Sequence, residues 1–198
     1  YMPKTYAGLK GIRMPDGISM TTIGGVDYIL TANEGDSRAW PLEDISGENI
    51  EAESDTNEKS VKADKDSPAK NIPANTVSGK VTYFDTTHYE GLDAKTDYLF
   101  GGRSFTMFKV TEQGIEEVFD SENDFEAKAA AYLPDYFNCS NDDTDVDSRS
   151  GKKGPEPETV VTGTVNGKIY AFVTLERIGG VMAYDITDPA NVTYVNYI

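Results

Sequence analysis

Two stretches of the chain decide its fold: PDGISMTTIGGVDYILTANEG at residues 15–35 and PETVVTGTVNGKIYAFVTLER at residues 157–177. Aligned, they place Asp16 on Glu158, Tyr28 on Tyr170 and Glu34 on Glu176, each pair equally far apart in the chain. Each stretch opens on Pro and an acid, runs through an alternating strand pattern, turns, and ends a second strand near a Glu. The turns are Gly24-Gly25 and Asn166-Gly167. Residues that accept positive φ, set between two alternating runs, mark a two-residue hairpin.

Working outward, each unit continues with a Gly-Gly pair and an aromatic third strand, one running to Phe108 and the other to Tyr184. Fourth strands follow at Glu117-Val118-Phe119 and Thr193-Tyr194-Val195. Lys80–Phe84 is a further strand, and only Asp124–Tyr132 (DFEAKAAAY) has a helical pattern. The expected fold is all-β. Four antiparallel strands per unit make a propeller blade, so the chain reads as a partial β-propeller with about two blades legible. The first blade spans 14–121 and carries an insertion at about 36–97 between its second and third strands; the second spans 155–198. Residues 41–79 are polar and acidic without apolar periodicity, and read as a long exposed loop. Two blades do not close a ring, so residues 1–198 are expected to be one fragment of a larger propeller, completed by further blades or by a second copy. A β-sandwich is the competing architecture.

The chain has 34 Asp and Glu against 18 Lys and Arg, a net charge of −16 over 198 residues. So acidic a surface repels nucleic-acid phosphates and anionic lipid heads, which excludes nucleic acid as an expected partner. No apolar run is long enough for a membrane helix, and direct insertion is not expected. The opening YMPKTY lacks a basic-then-apolar leader, so an export signal and anchor are expected to lie outside this sequence. Cys139 is the one cysteine, which leaves no partner for a disulfide within the chain. His88 is the one histidine, which removes zinc hydrolases built on several histidines. No nucleophile elbow, P-loop or dinucleotide fingerprint is present.

Chemistry is left to carboxylates and arginines. The matched acids Asp16, Glu34, Glu158 and Glu176 would meet if equivalent blade positions lie side by side. Crowded carboxylates call for a counter-cation, and hard oxygen ligands suit Ca²⁺; the other reading is that they cap turns. In Asn33–Arg38 (NEGDSR), Gly35 would present Glu34 and Asp36 together. Arg38 stands behind them; with Arg103, Arg149 and Arg177 it could hold an oxyanion. The alternative there is an Arg–carboxylate latch between blades. Asp143, Asp145 and Asp147 alternate as in calcium loops, although the full loop signature is missing.

In order along the chain, MPDGISMTTIGGVDYILTANEGDSR, FGGRSFTMF, VFDSENDFE, GPEPE and YAFVTLERIGGVMAYDITDP resemble the choice-of-anchor I family of bacterial surface proteins, which is similar to mesenchyme-specific cell-surface glycoproteins. The resemblance implies an exported β-propeller held at, or released from, the cell envelope. Two functions are then open. One is an extracellular binding or scaffold domain, stabilised by a divalent cation, with an envelope, glycan or protein partner; Trp40 and the many tyrosines point to glycans. The other follows from the alkaline phosphatase label that some members carry: a Ca²⁺-dependent phosphoesterase.

Overall fold

In the computed structural model, residues 8–36, 58–61, 81–84, 91–92 and 96–198 are described. The strands are β1 (Leu9–Gly11), β2 (Ile18–Ile23), β3 (Val26–Asn33), β4 (Glu58–Val61), β5 (Val81–Phe84), β6 (Asp97–Leu99), β7 (Ser104–Thr111), β8 (Gly114–Asp120), β9 (Pro157–Val165), β10 (Lys168–Leu175), β11 (Val181–Asp185) and β12 (Thr193–Tyr197). Helix α1 covers Asp124–Tyr132 and a 3-10 turn covers Pro134–Tyr136. Apart from these, the regular structure among the described residues is all β-strand.

Two of its sheets are antiparallel and share one strand order, β2-β3-β7-β8 and β9-β10-β11-β12. Their opening hairpins are built alike. Gly24 and Gly25 have φ of 59° and 82°, Asn166 and Gly167 have 51° and 80°. Positive φ at both central positions is what a type I′ turn needs, and its twist matches that of the flanking strands.

Two features depart from the sequence pattern. A third four-stranded sheet, β1-β6-β5-β4, is present, with β1 and β6 parallel. Its β4 also lies inside 41–79, the stretch read as loop for want of apolar periodicity. Ladder hydrogen bonds come from the backbone, so a polar segment such as Glu58–Val61 can pair with β5. The rest of that stretch, with Arg38, Trp40 and His88, lies outside the described residues.

The two matching sheets stack face to face over one core. Leu30, Ala32, Phe105 and Met107 point up from the first, Val160, Ala171, Val173, Met182 and Tyr184 down from the second. Helix α1 closes one end by burying Phe125 and Ala129. The Tyr184 ring lies 4.9 Å from Phe105 and 6.1 Å from Phe125, and its hydroxyl donates to Asp124 Oδ2 at 2.7 Å.

At one point the sheets touch backbone to backbone. Gly17 N donates to Glu158 O at 2.9 Å. A Cβ on Gly17 would sit 2.7 Å from both Glu158 O and Thr159 Cα. Neither atom is a flexible side-chain end, so the strands would have to part. Gly17→Ala is therefore expected to cost about 1–3 kcal/mol, as an overpacked contact does. A urea titration checks this; an unchanged midpoint would contradict the close approach.

Candidate functional site: a carboxylate cluster across the two sheets

The first residue of the site was not legible from the repeat. Glu156 precedes β9 and is fully buried. It stands at the position equivalent to Met14, so matching acids to acids passes over it. Both residues precede a proline and both have positive φ, 52° and 36°. Such a backbone is uncommon outside glycine and persists where surrounding contacts fix it. The available signal was local: an acid between two prolines, in GPEPE, immediately after Lys152-Lys153.

Three cations surround the Glu156 carboxylate. Arg149 donates to Oε1. Lys153 Nζ and Arg177 Nε each stand 3.0 Å from Oε2, in charge contact without hydrogen-bond alignment. Burial alone would raise this carboxyl, yet the Arg149 hydrogen bond and the charge of the Lys153 ammonium outweigh it and hold it down at about 2.

Lys153 then reaches across to the first sheet. Its Nζ lies 2.6 Å from Glu34 Oε1 and 3.0 Å from Asp36 Oδ1. Three acids share one ammonium, which raises its pKa despite burial. The latch between the sheets is thus a lysine, where the sequence suggested an arginine.

Two sets of carboxylate oxygens converge within 4.8 Å: Asp16, Glu34 and Glu158, and Glu34, Glu156 and Glu176. Glu34 belongs to both. Among the described residues, Asp16, Glu34, Asp36, Glu156, Glu158 and Glu176 are six carboxylates facing three cations, Arg149, Lys153 and Arg177. The surplus negative charge favours bound protons. Burial first, offset by Lys153 and reinforced by Asp36 and Glu156, pushes Glu34 up to about 7. Glu158 is raised by burial and by Asp16, and Glu176 by burial and by Glu156. A buried carboxyl poised near neutrality can take up or release a proton, and equally can exchange it for a cation.

The described arginines proposed for oxyanions already hold protein groups. Arg103 bonds Glu126 at 2.8 Å and the carbonyls of Ser150 and Lys152 at 2.7 and 2.8 Å. Arg149 is on Glu156, and Arg177 adds Asn141 Oδ1 at 2.9 Å and Glu176 at 3.3 Å. Of the alternating acids, Asp143 Oδ1 accepts the Asp145 N–H at 3.0 Å, and Asp147 accepts the Ser150 hydroxyl. These three do not join either converging set among the described residues.

The model of the choice-of-anchor I domain family matches residues 2–189. Gigasin-3a of Magallana gigas is 34% identical over 92 residues, which cover 44% of this chain and 32% of that protein. A mesenchyme-specific cell surface glycoprotein of Strongylocentrotus purpuratus is 29% identical over 109 residues, 50% of this chain and 14% of that protein. The matched segment is thus a third or less of either relative's length. No solved structure matches.

Proposed function

Because the chain belongs to the choice-of-anchor I domain family, we propose that it acts at the cell surface as a binding and scaffold module, two blades of a β-propeller fastened by a charged clasp. A relative named as a cell surface glycoprotein supports the location. No helix among the described residues is long and apolar enough to cross a membrane. The observation that carries the scaffold reading is the junction itself. Two sheets of one strand order share a core, and Lys153 ties Glu34 of the first to Glu156 of the second. Charges spent on holding sheets together serve architecture.

Asp16, Glu34 and Glu158 form the part of the clasp suited to a divalent cation, since among the described residues only Glu34 of the three touches a base. Ca²⁺ would replace the proton on Glu34 there and stabilise the folded state by mass action. The same carboxylates are the one feature that favours the Ca²⁺-dependent phosphoesterase reading. Against it, Arg103, Arg149 and Arg177 are engaged with protein oxygens.

One experiment separates the two. The whole protein is assayed for p-nitrophenyl phosphate turnover with and without Ca²⁺, and its melting temperature is followed over the same titration. No turnover, with a melting temperature that rises in Ca²⁺ and fails to rise in Glu158→Gln, is the expected result. Turnover that disappears in Glu34→Gln or Glu176→Gln would replace the scaffold by the enzyme. Protease treatment of intact cells tests the location: the protein should be cleaved while cytoplasmic markers survive.

A further inference from the structure

With Cys139 its one cysteine, the chain has no disulfide to tie its own elements together. Tyrosine is the other side chain that oxidation can join, and the chain has 12 of them. Two meet where helix α1 lies on the second sheet. Tyr132 closes α1, and Tyr194 stands in the edge strand β12. Their ring centroids are 6.3 Å apart and the ring planes 23° from parallel. That is direct aromatic contact.

The helix holds the pair in register. Lys128, one turn before Tyr132 on the same face, sets its ammonium 4.5 Å from the centre of the Tyr194 ring. An ion pair with Asp124 at 3.4 Å steadies that ammonium. Burial, and then the Tyr132 hydroxyl beside it, push the Tyr194 phenol up to about 12. The hydroxyl ends of the two rings therefore lie together, which makes neighbours of the ring carbons ortho to them. Solvent reaches the pair from one side, since Tyr132 is 59% exposed. Tyr194 also meets Tyr184 at 5.7 Å, but edge-on, and Tyr184 is buried with its hydroxyl donating to Asp124. Tyr132 is the partner an oxidant can reach.

We propose that Tyr132 and Tyr194 form an oxidative cross-linking site, joined ring to ring as dityrosine by a haem peroxidase that consumes hydrogen peroxide. Each phenol gives up one electron and one proton. The two phenoxyl radicals pair into one carbon–carbon bond between ortho positions. Each of those carbons then passes its hydrogen to oxygen, which restores the phenols. Two hydrogens leave the protein, and hydrogen peroxide takes them up as two molecules of water. The product fastens the end of α1 to β12 by a bond that thiol reductants do not break. A link between residues so far apart in the chain restricts the unfolded state and so favours the folded one. The proposed cell-surface location supplies the oxidising setting. The pairing itself is independent of the scaffold and enzyme readings.

The purified chain is treated in dilute solution with a haem peroxidase and hydrogen peroxide. Tyr132→Phe and Tyr194→Phe, which keep the rings and lose the phenols, are treated alongside. The parent should remain a single chain on a denaturing gel and gain dityrosine fluorescence. Proteolysis and mass spectrometry should then yield a peptide pair joined through Tyr132 and Tyr194, lighter by two hydrogens than its separate parts. Neither variant should give that pair. A parent without dityrosine overturns the proposal, as does a link that maps to other tyrosines or forms only between copies. Single-chain dityrosine that persists in both variants overturns it too. Should a variant misfold, the position of the link in the parent decides by itself.

Discussion

Glu156→Gln should unfold this protein at denaturant concentrations the parent withstands, with a loss of roughly 3–5 kcal/mol, the range for breaking a buried ion pair by removing one partner. The side-chain volume is kept, so packing is not the cause. Arg149, Lys153 and Arg177 would face one another around a neutral amide whose NH₂ is a further donor. Lys153 would keep Glu34 and Asp36, but Arg149 and Arg177 would lose the carboxylate at the centre of the cluster. Equilibrium urea unfolding, followed by near-ultraviolet circular dichroism, gives the number. Glu176→Gln is the control: Glu176 is partly exposed and its carboxyl is already raised, so its neutral replacement should cost little. A Glu156→Gln midpoint within error of the parent would mean that the cluster does not hold the sheets together.

The second large effect is on pH dependence, and Glu34 and Glu156 bend it in opposite directions. Glu34 moves from an ordinary 4.5 to about 7 in the folded protein. Between those values the folded state binds the extra proton, so stability falls as pH rises from 4.5 through 7. Glu156 moves from 4.5 down to about 2. There the unfolded state binds the extra proton, and stability falls as pH drops from 4.5 through 2. At ~1.4 kcal/mol per unit, the Glu34 limb amounts to about 3–4 kcal/mol. The expected profile is a maximum near pH 4.5 with a fall on either side. Glu34→Gln should flatten the neutral limb and leave the protein more stable than the parent above pH 7, because it makes the protonated form permanent. Self-repulsion of an acidic chain also weakens it as pH rises, and the difference between parent and variant removes that background. Parallel profiles for the two proteins would show that Glu34 is not the titrating group.

Glu34 also shows how far the sequence could be read. Its match to Glu176 singled it out, since both end the second strand of a unit. Its neighbours were a different matter. Lys153 is 119 residues away, in a loop that reads only as acids followed by bases. Glu156 has no counterpart acid in the other unit. The cluster is made by loops and strand ends brought together when the sheets stack, and one-dimensional patterns carry no record of which sign will face which.

The strands themselves were legible for the opposite reason. Alternation along Ile18–Ile23 and Lys168–Leu175, and turn residues that accept positive φ at Gly24-Gly25 and Asn166-Gly167, act within a few residues of one another. The same holds for helix α1, predicted and found at Asp124–Tyr132. Alternation does not say which face goes inward: Ile18 and Met20 point away from the core while Ser19 and Thr21 lie on its side. What the sequence alone determined is thus the all-β class, two of the sheets and their hairpins, because local backbone preference and period-two patterning are short-range. Only the tertiary structure decided which faces meet and that Lys153 bridges Glu34 and Glu156, because burial and Coulomb energy depend on distances across the stack, not along the chain.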